Sequence, residues 1–183
     1  MGELEVVRRR YAQSVKTVFL SILFASVAGA GEVLDWPADT SKEWQTVSVD
    51  KLPAGVQPQD PESPERPLTT VRIRKPDVDG DGIPDLIIDT GRGGSGGSYV
   101  IIYRGDGKHY RKILNEQGGI VVCPRERGVA RIECWGRVGG GEYRRTVYRF
   151  RGGRFIEEFM QTLRHRSEDD KLEVTDTKTF DAK

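Results

Sequence analysis

The sequence predicts a mainly β protein: antiparallel hairpins forming a small propeller-blade-like sheet, a sandwich or an open barrel, with at most a short helix. Three observations predict it. Short segments such as "TTVRIRK" (69–75) alternate apolar and polar residues with the two-residue period of a half-buried strand. Glycine clusters such as "RGDG" (104–107) and "RGG" (151–153) separate these segments, where tight turns need positive φ. From Leu68 onward no stretch carries a long 3.6-residue apolar period.

The elements follow in order along the 183 residues. Residues 1–30 differ in composition from the rest. Arg8, Arg9, Arg10 and Lys16 lead an uncharged run, "TVFLSILFASVA", that ends in Ala28, Gly29 and Ala30. This is the order of a secretory signal peptide, with cleavage expected after Ala30 and a secreted or periplasmic product. The apolar run is shorter than the roughly 20 residues a membrane helix needs. Without residues 1–30 the chain keeps 25 basic and 26 acidic side chains, a net charge of −1. That balance argues against nucleic acid as a partner, and no stable membrane insertion is expected after cleavage.

Residues 31–67 read as an N-terminal strand around Val47 and Val49, followed by a linker or surface loop with five prolines between positions 53 and 67. Residues 68–165 read as the β domain. "LIID" (86–89) is a short apolar run suited to a buried strand, and "GRGGSGG" (91–97) is a loop. "SYVIIYRGDGKHYRKI" (98–113) and "EYRRTVYRFRGGRFIEEF" (142–159) read as hairpins that share a turn and an apolar alternation, a weak internal repeat. "GIVVC" (119–123) and "ARIECW" (130–135) form a further pair. "EEFMQTLRHR" (157–166) is expected to hold a short helical turn. Residues 166–183 read as a polar, frayed tail in which "KLEVT" can add an edge strand.

The two cysteines, Cys123 and Cys134, lie in the exported part. An even count in a secreted chain favours a disulfide. A turn near Gly128 and Val129 would set Cys123 opposite Cys134, so a Cys123–Cys134 bridge is expected, with two free buried thiols as the alternative.

"DVDGDGIPD" (77–85) places four carboxylates in nine residues, where they repel one another. Asp77, Asp79 and Asp81 occupy positions 1, 3 and 5 of a loop, Gly82 position 6, Ile83 position 7 and Asp85 position 9. Hard oxygen ligands at this spacing, with the Ile83 carbonyl among them, can wrap a Ca²⁺ ion and remove the repulsion. The loop is not an EF-hand, since position 12 is Ile88 rather than Glu and Pro84 opposes a following helix. A plain Asp/Gly surface turn without metal is the alternative.

"DVDGDGIPDLIIDTG", with "GGSGGSYVIIYRGDG" after it, resembles the FG-GAP repeats of integrin α-chains and the related VCBS-type repeats of bacterial surface proteins, here in a single copy over about residues 71–107. The resemblance implies a Ca²⁺-binding loop between two strands. Asp77, Asp79, Asp81, Ile83 and Asp85 fall at the ligand positions, Leu86–Ile88 on the following strand and Val100–Tyr103 on the next.

The remaining constellations point to no chemistry. "GRGGSGG" lacks a following Lys-Ser/Thr and opens no helix, so it reads as a turn rather than a phosphate cradle. His109 and His165 have no zinc or triad spacing. The expected function is therefore non-enzymatic: a secreted or periplasmic calcium-binding β-module with a binding or structural role, its partner an unidentified protein or a glycan. An inhibitor or accessory protein acting on an envelope enzyme through a loop such as "GRGGSGG" is the alternative. A metal-dependent hydrolase built on the Asp cluster ranks below both, because no base is evident.

Overall fold

The computed structural model describes residues 31–37 and 44–180; the expected signal peptide lies outside the described residues. Within them the chain is almost entirely β, arranged as two antiparallel sheets. One sheet has five strands in the order β2-β3-β4-β5-β6: β2 Gln45–Ser48, β3 Thr70–Arg74, β4 Leu86–Asp89, β5 Tyr99–Gly105 and β6 Tyr110–Gln117. The other has six strands in the order β1-β11-β10-β9-β8-β7: β1 Val33–Leu34, β7 Gly119–Val122, β8 Arg131–Gly139, β9 Glu142–Arg151, β10 Arg154–Arg166 and β11 Lys171–Thr179. The only helical turn among the described residues is a 3-10 turn at Val49–Lys51.

The main core lies between the sheets. Ile87, Val100 and Ile102 of the five-stranded sheet meet Ile120, Ile132, Cys134, Tyr148 and Phe155 of the other. All four residues of β4 are buried because both faces of this central strand are covered. On the far face, Leu86 and Ile88 pack with Val71, Ile73, Ile101 and Tyr103.

The proline-rich segment covers that far face. Val56 and Leu68, at its two ends, join the second core, and the alternate residues Val56, Pro58 and Asp60 are buried. The expected linker is thus a packed lid on the sheet. It meets its backbone hydrogen bonds through its own turns, Val56 N–H to Pro53 O, Ser63 N–H to Asp60 O and Arg66 N–H to Ser63 O.

Three further differences have local physical causes. The stretch 157–166, expected to turn helically, is the second half of the thirteen-residue β10. That strand is paired on both sides, by β9 and β11, and β bulges between Glu157 and Phe159 and between Thr162 and Leu163 bend it. One of the two sheets curls into a half-barrel. The expected tail is strand β11, and "KLEVT" lies inside the sheet: Leu172 and Val174 pack against Leu163, and β1 pairs along the outer side. The N-terminal segment serves both sheets, β1 in one and β2 in the other.

The cysteines do not pair; both are free. The turn is tipped by Arg127 and Gly128, at φ 52° and 78°, and Cys134 lies opposite Ile120 while Cys123 bonds to Arg131. The offset from the expected register turns the two side chains to opposite faces of the sheet. Cys134 enters the inter-sheet core beside Ile132, whereas Cys123 stands next to Glu133.

The chain passes from one sheet to the other at Gly118. Its N–H bonds to Ser98 O at 2.8 Å, and a Cβ there would meet Trp135 O at 2.2 Å. Only glycine fits, at φ 129° and with the backbones this close.

Candidate metal centre

The loop 77–85 joins β3 to β4. Its glycines 80 and 82 adopt φ 91° and 84°, which the reversal requires. Val78 reaches down into the inter-sheet core, 1% exposed, and pins the loop to the fold.

Each aspartate has a separate local task. Asp77 accepts N–H bonds from Gly80 at 2.7 Å and Gly82 at 3.1 Å. Asp79 accepts from Asp81 N–H at 3.2 Å, and Asp81 from Ile83 N–H at 2.8 Å. Asp85 is wholly buried and accepts from Val78 N–H at 2.8 Å and Gly105 N–H at 2.9 Å, joining the loop to the end of β5. Its own N–H returns to Pro76 O at 2.8 Å.

Three of the four carboxylates converge. Asp77, Asp79 and Asp85 each offer an oxygen within 4.8 Å of the other two. Oxygens that share a calcium-sized ion, at about 2.3–2.6 Å from it, lie no more than about 5 Å apart, so the donor set fits such an ion in chemistry and spacing. Asp81 is not in this group: one of its oxygens holds Ile83, the other an arginine. Ile83 is half-buried and tied in through its N–H.

Two arginines sit on the carboxylates. Arg104, from β5, bonds to Asp79 and, at 2.9 Å, to Asp81, with its guanidinium 5.6 Å from the centre of the Phe150 ring. Arg125, from the β7–β8 turn, reaches Asp77 Oδ2 at 2.7 Å. Sequence reading assigns Arg104 no role and places Arg125, with the arginines up to 154, on a solvated sheet face. Arg104 was legible only as the residue after an aromatic strand, and Arg125 approaches the loop from the other sheet, with no trace in sequence spacing.

The electrostatics divide the cluster. Burial pulls the Asp77 carboxyl upward, but the Gly80 N–H, the Arg125 guanidinium and the Gly82 N–H prevail and hold it below the usual carboxylate range. Burial dominates at Asp85 and pushes its carboxyl up against the two N–H bonds, aided by the charges of Asp79 and Asp81. The histidines are engaged elsewhere, His109 with Asp106 and His165 with Asp170.

"GRGGSGG" is closed on itself. Tyr99 N–H bonds to Arg92 O at 2.7 Å and Gly97 N–H to Gly94 O at 3.1 Å, while a Cβ on Gly93 would sit 2.0 Å from Gly97 O. With Gln117, Gly136 and Arg144 it borders a cleft of about 350 Å³. No family model, no curated protein and no solved structure matches the chain.

Proposed function

We propose that this chain is an exported calcium-binding β-module of FG-GAP/VCBS type in its aspartate loop, with a binding or structural role toward an unidentified protein or glycan. One observation carries the reading: Asp77, Asp79 and Asp85 present carboxylate oxygens within 4.8 Å of one another on a loop pinned by buried Val78 and Asp85. Asp77, Asp79 and Asp85 would hold the ion, with the Ile83 carbonyl as a further oxygen donor, while Asp81 stays with the Ile83 N–H and Arg104. Bound there, the ion supplies positive charge that offsets the carboxylate repulsion and stiffens the connection between β3 and β4. The role is non-enzymatic in this reading. The inhibitor alternative would use the glycine loop 91–97, which is largely exposed and carries the Gly97 N–H to Gly94 O turn.

The test is a calorimetric and thermal titration of the purified protein with CaCl₂. The expected Kd is on the order of 10⁻⁴–10⁻³ M, as in extracellular modules. At ten times Kd, binding adds roughly 1.4 kcal/mol and raises the melting temperature by several degrees. Asp79→Asn should abolish both signals while keeping the circular dichroism spectrum, and Mg²⁺ should act more weakly because it requires a tighter octahedral shell. Absence of heat and of any melting shift at millimolar Ca²⁺ contradicts the reading. Export is tested separately, by N-terminal sequencing of the envelope or secreted fraction, where Gly31 is the expected first residue and an intact Met1 counts against it.

A further inference from the structure

We propose that the cleft between the glycine loop and the β8–β9 hairpin binds an acidic sugar, a hexuronate residue of an anionic glycan, with its carboxylate on Arg137 and Arg144 and its hydroxyls toward Glu62 and Gln117. The inference rests on the binding role proposed above, names the chemistry of its partner, and makes no use of the metal.

The cleft forms where separate stretches of chain meet. Gly94 and Gly96 come from the loop after β4, Gln117 from the end of β6, Arg137 from β8, and Glu62 from the proline-rich segment. Its volume of about 350 Å³ falls within the range of small-molecule sites, about 300–1,000 Å³.

Glycine keeps this space open. Gly136 stands opposite Arg144 in the β8–β9 ladder, so no side chain fills the place across from that arginine. A Cβ on Gly136 would lie 3.1 Å from Gln117 O and 3.3 Å from Gly96 O, and one on Gly96 would lie 2.9 Å from Gln117 Oε1. The lining here is peptide backbone at close approach, a surface against which a flat ring can lie.

The charges around the cleft select one ligand class. Arg72, Arg104, Arg125, Arg131, Arg145 and Arg149 each hold an Asp or Glu carboxylate. Arg137 and Arg144 are ion-paired with no residue among those described, although Arg144 feels the charge of Glu116. Their guanidinium forks match a carboxylate. Glu62 has the opposite sign. One of its oxygens accepts the Tyr99 hydroxyl at 3.1 Å, and the carboxylate's remaining lone pairs call for O–H donors. Sulfate or phosphate brings acceptors only and is repelled by Glu62. A neutral sugar leaves the two arginines without a counterion. A hexuronate carries both a carboxylate and hydroxyls, and Val138, which lines the cleft and is 59% exposed, offers an apolar contact for the C–H face of its ring.

The test is a calorimetric titration of the purified protein in EDTA with four probes: trimers of galacturonate and of mannuronate, the methyl ester of the galacturonate trimer, and sodium phosphate. EDTA makes the outcome independent of the CaCl₂ titration. At least one uronate trimer should bind, the ester should bind about tenfold more weakly or not at all, and phosphate should not compete. Arg137→Gln and Arg144→Gln should each weaken uronate binding about three- to tenfold. Arg154→Gln, at an exposed arginine outside the cleft, should leave it unchanged. All three arginines are exposed, so the variants should keep the parent's circular dichroism spectrum. Equal binding of the ester would show that the carboxylate is not read, and competition by phosphate that any anion suffices. Equal weakening in R154Q would show that the attraction is diffuse, and no binding of either uronate that the cleft takes no acidic sugar. Each of these results overturns the proposal and leaves the calcium reading to its own titration.

Discussion

Asp85 shows how one residue can serve both fold and site. Its carboxylate is the acceptor for the Val78 and Gly105 N–H groups, and it is fully buried. Removing it leaves two buried donors without partners, each at about 1–3 kcal/mol. Asp85→Ala should therefore lower stability by about 2–5 kcal/mol in urea unfolding with chelator present, so that metal plays no part. Asp85→Asn keeps one acceptor oxygen and should cost less than the alanine; equal stability of D85A and the parent would contradict this role. The aspartate pattern was legible in sequence because Asp–Gly turns are local: each Asx contact within the loop spans two to seven residues. Which three carboxylates converge was not legible. Asp81 is drawn to Arg104, a contact 23 residues away that exists only once β4 and β5 have paired.

At the scale of elements, registers decide what composition left open. The β7–β8 register sends Cys134 inward and Cys123 to the other face, and burial pushes the Cys134 thiol up to about 12 and the Cys123 thiol up to about 11. Both should stay protonated and react slowly with iodoacetamide at pH 8 in the native protein, then react fully in urea without any reductant. A mass shift for a Cys123–Cys134 bridge in unreduced protein would overturn the register. Gly118 makes the other decisive choice. Chain reversal by glycine clusters was legible, but a glycine that hands the chain from one sheet to another looks like any turn glycine in sequence. Gly118→Ala must move the Trp135 carbonyl or abandon φ 129°, and should destabilise by about 2–4 kcal/mol. Gly107→Ala has open space around its Cβ and should cost less, since only its φ of 84° is strained; similar melting temperatures for the two would show that the crossing is not tightly packed.

Over the whole molecule, strand periodicity announced a β protein, and the short apolar run in "LIID" announced a buried strand. The partition into two sheets, with β1 and β11 closing one and β2 opening the other, depends on pairings across most of the chain that no local pattern encodes. Where the sheets face each other, a half-buried carboxyl stands among apolar residues. Glu116, on β6, lies opposite Val100 and faces the hydroxyl of Tyr148, a residue of β9 that is 3% exposed. Burial pushes the Glu116 carboxyl above its ordinary 4.5, against the pull of the Tyr148 hydroxyl and of Arg144, with Glu157 adding to the rise. The consequence for stability has a definite sign. Above pH 4.5 the unfolded chain loses this proton while the folded chain keeps it, so the native state binds more protons and stability falls as pH rises through the folded value. Glu116→Gln retains an acceptor for the Tyr148 hydroxyl and removes the titration. The difference in melting temperature between E116Q and the parent should therefore grow in favour of E116Q from pH 4.5 upward and level off once the parent's Glu116 is ionised. Asp77 and Asp85 also shift stability with pH, but both are present in both proteins and cancel in the difference. A difference that stays constant from pH 4 to 8 would mean that Glu116 is as well solvated in the fold as in the unfolded chain, and that the sheets are not closed over it.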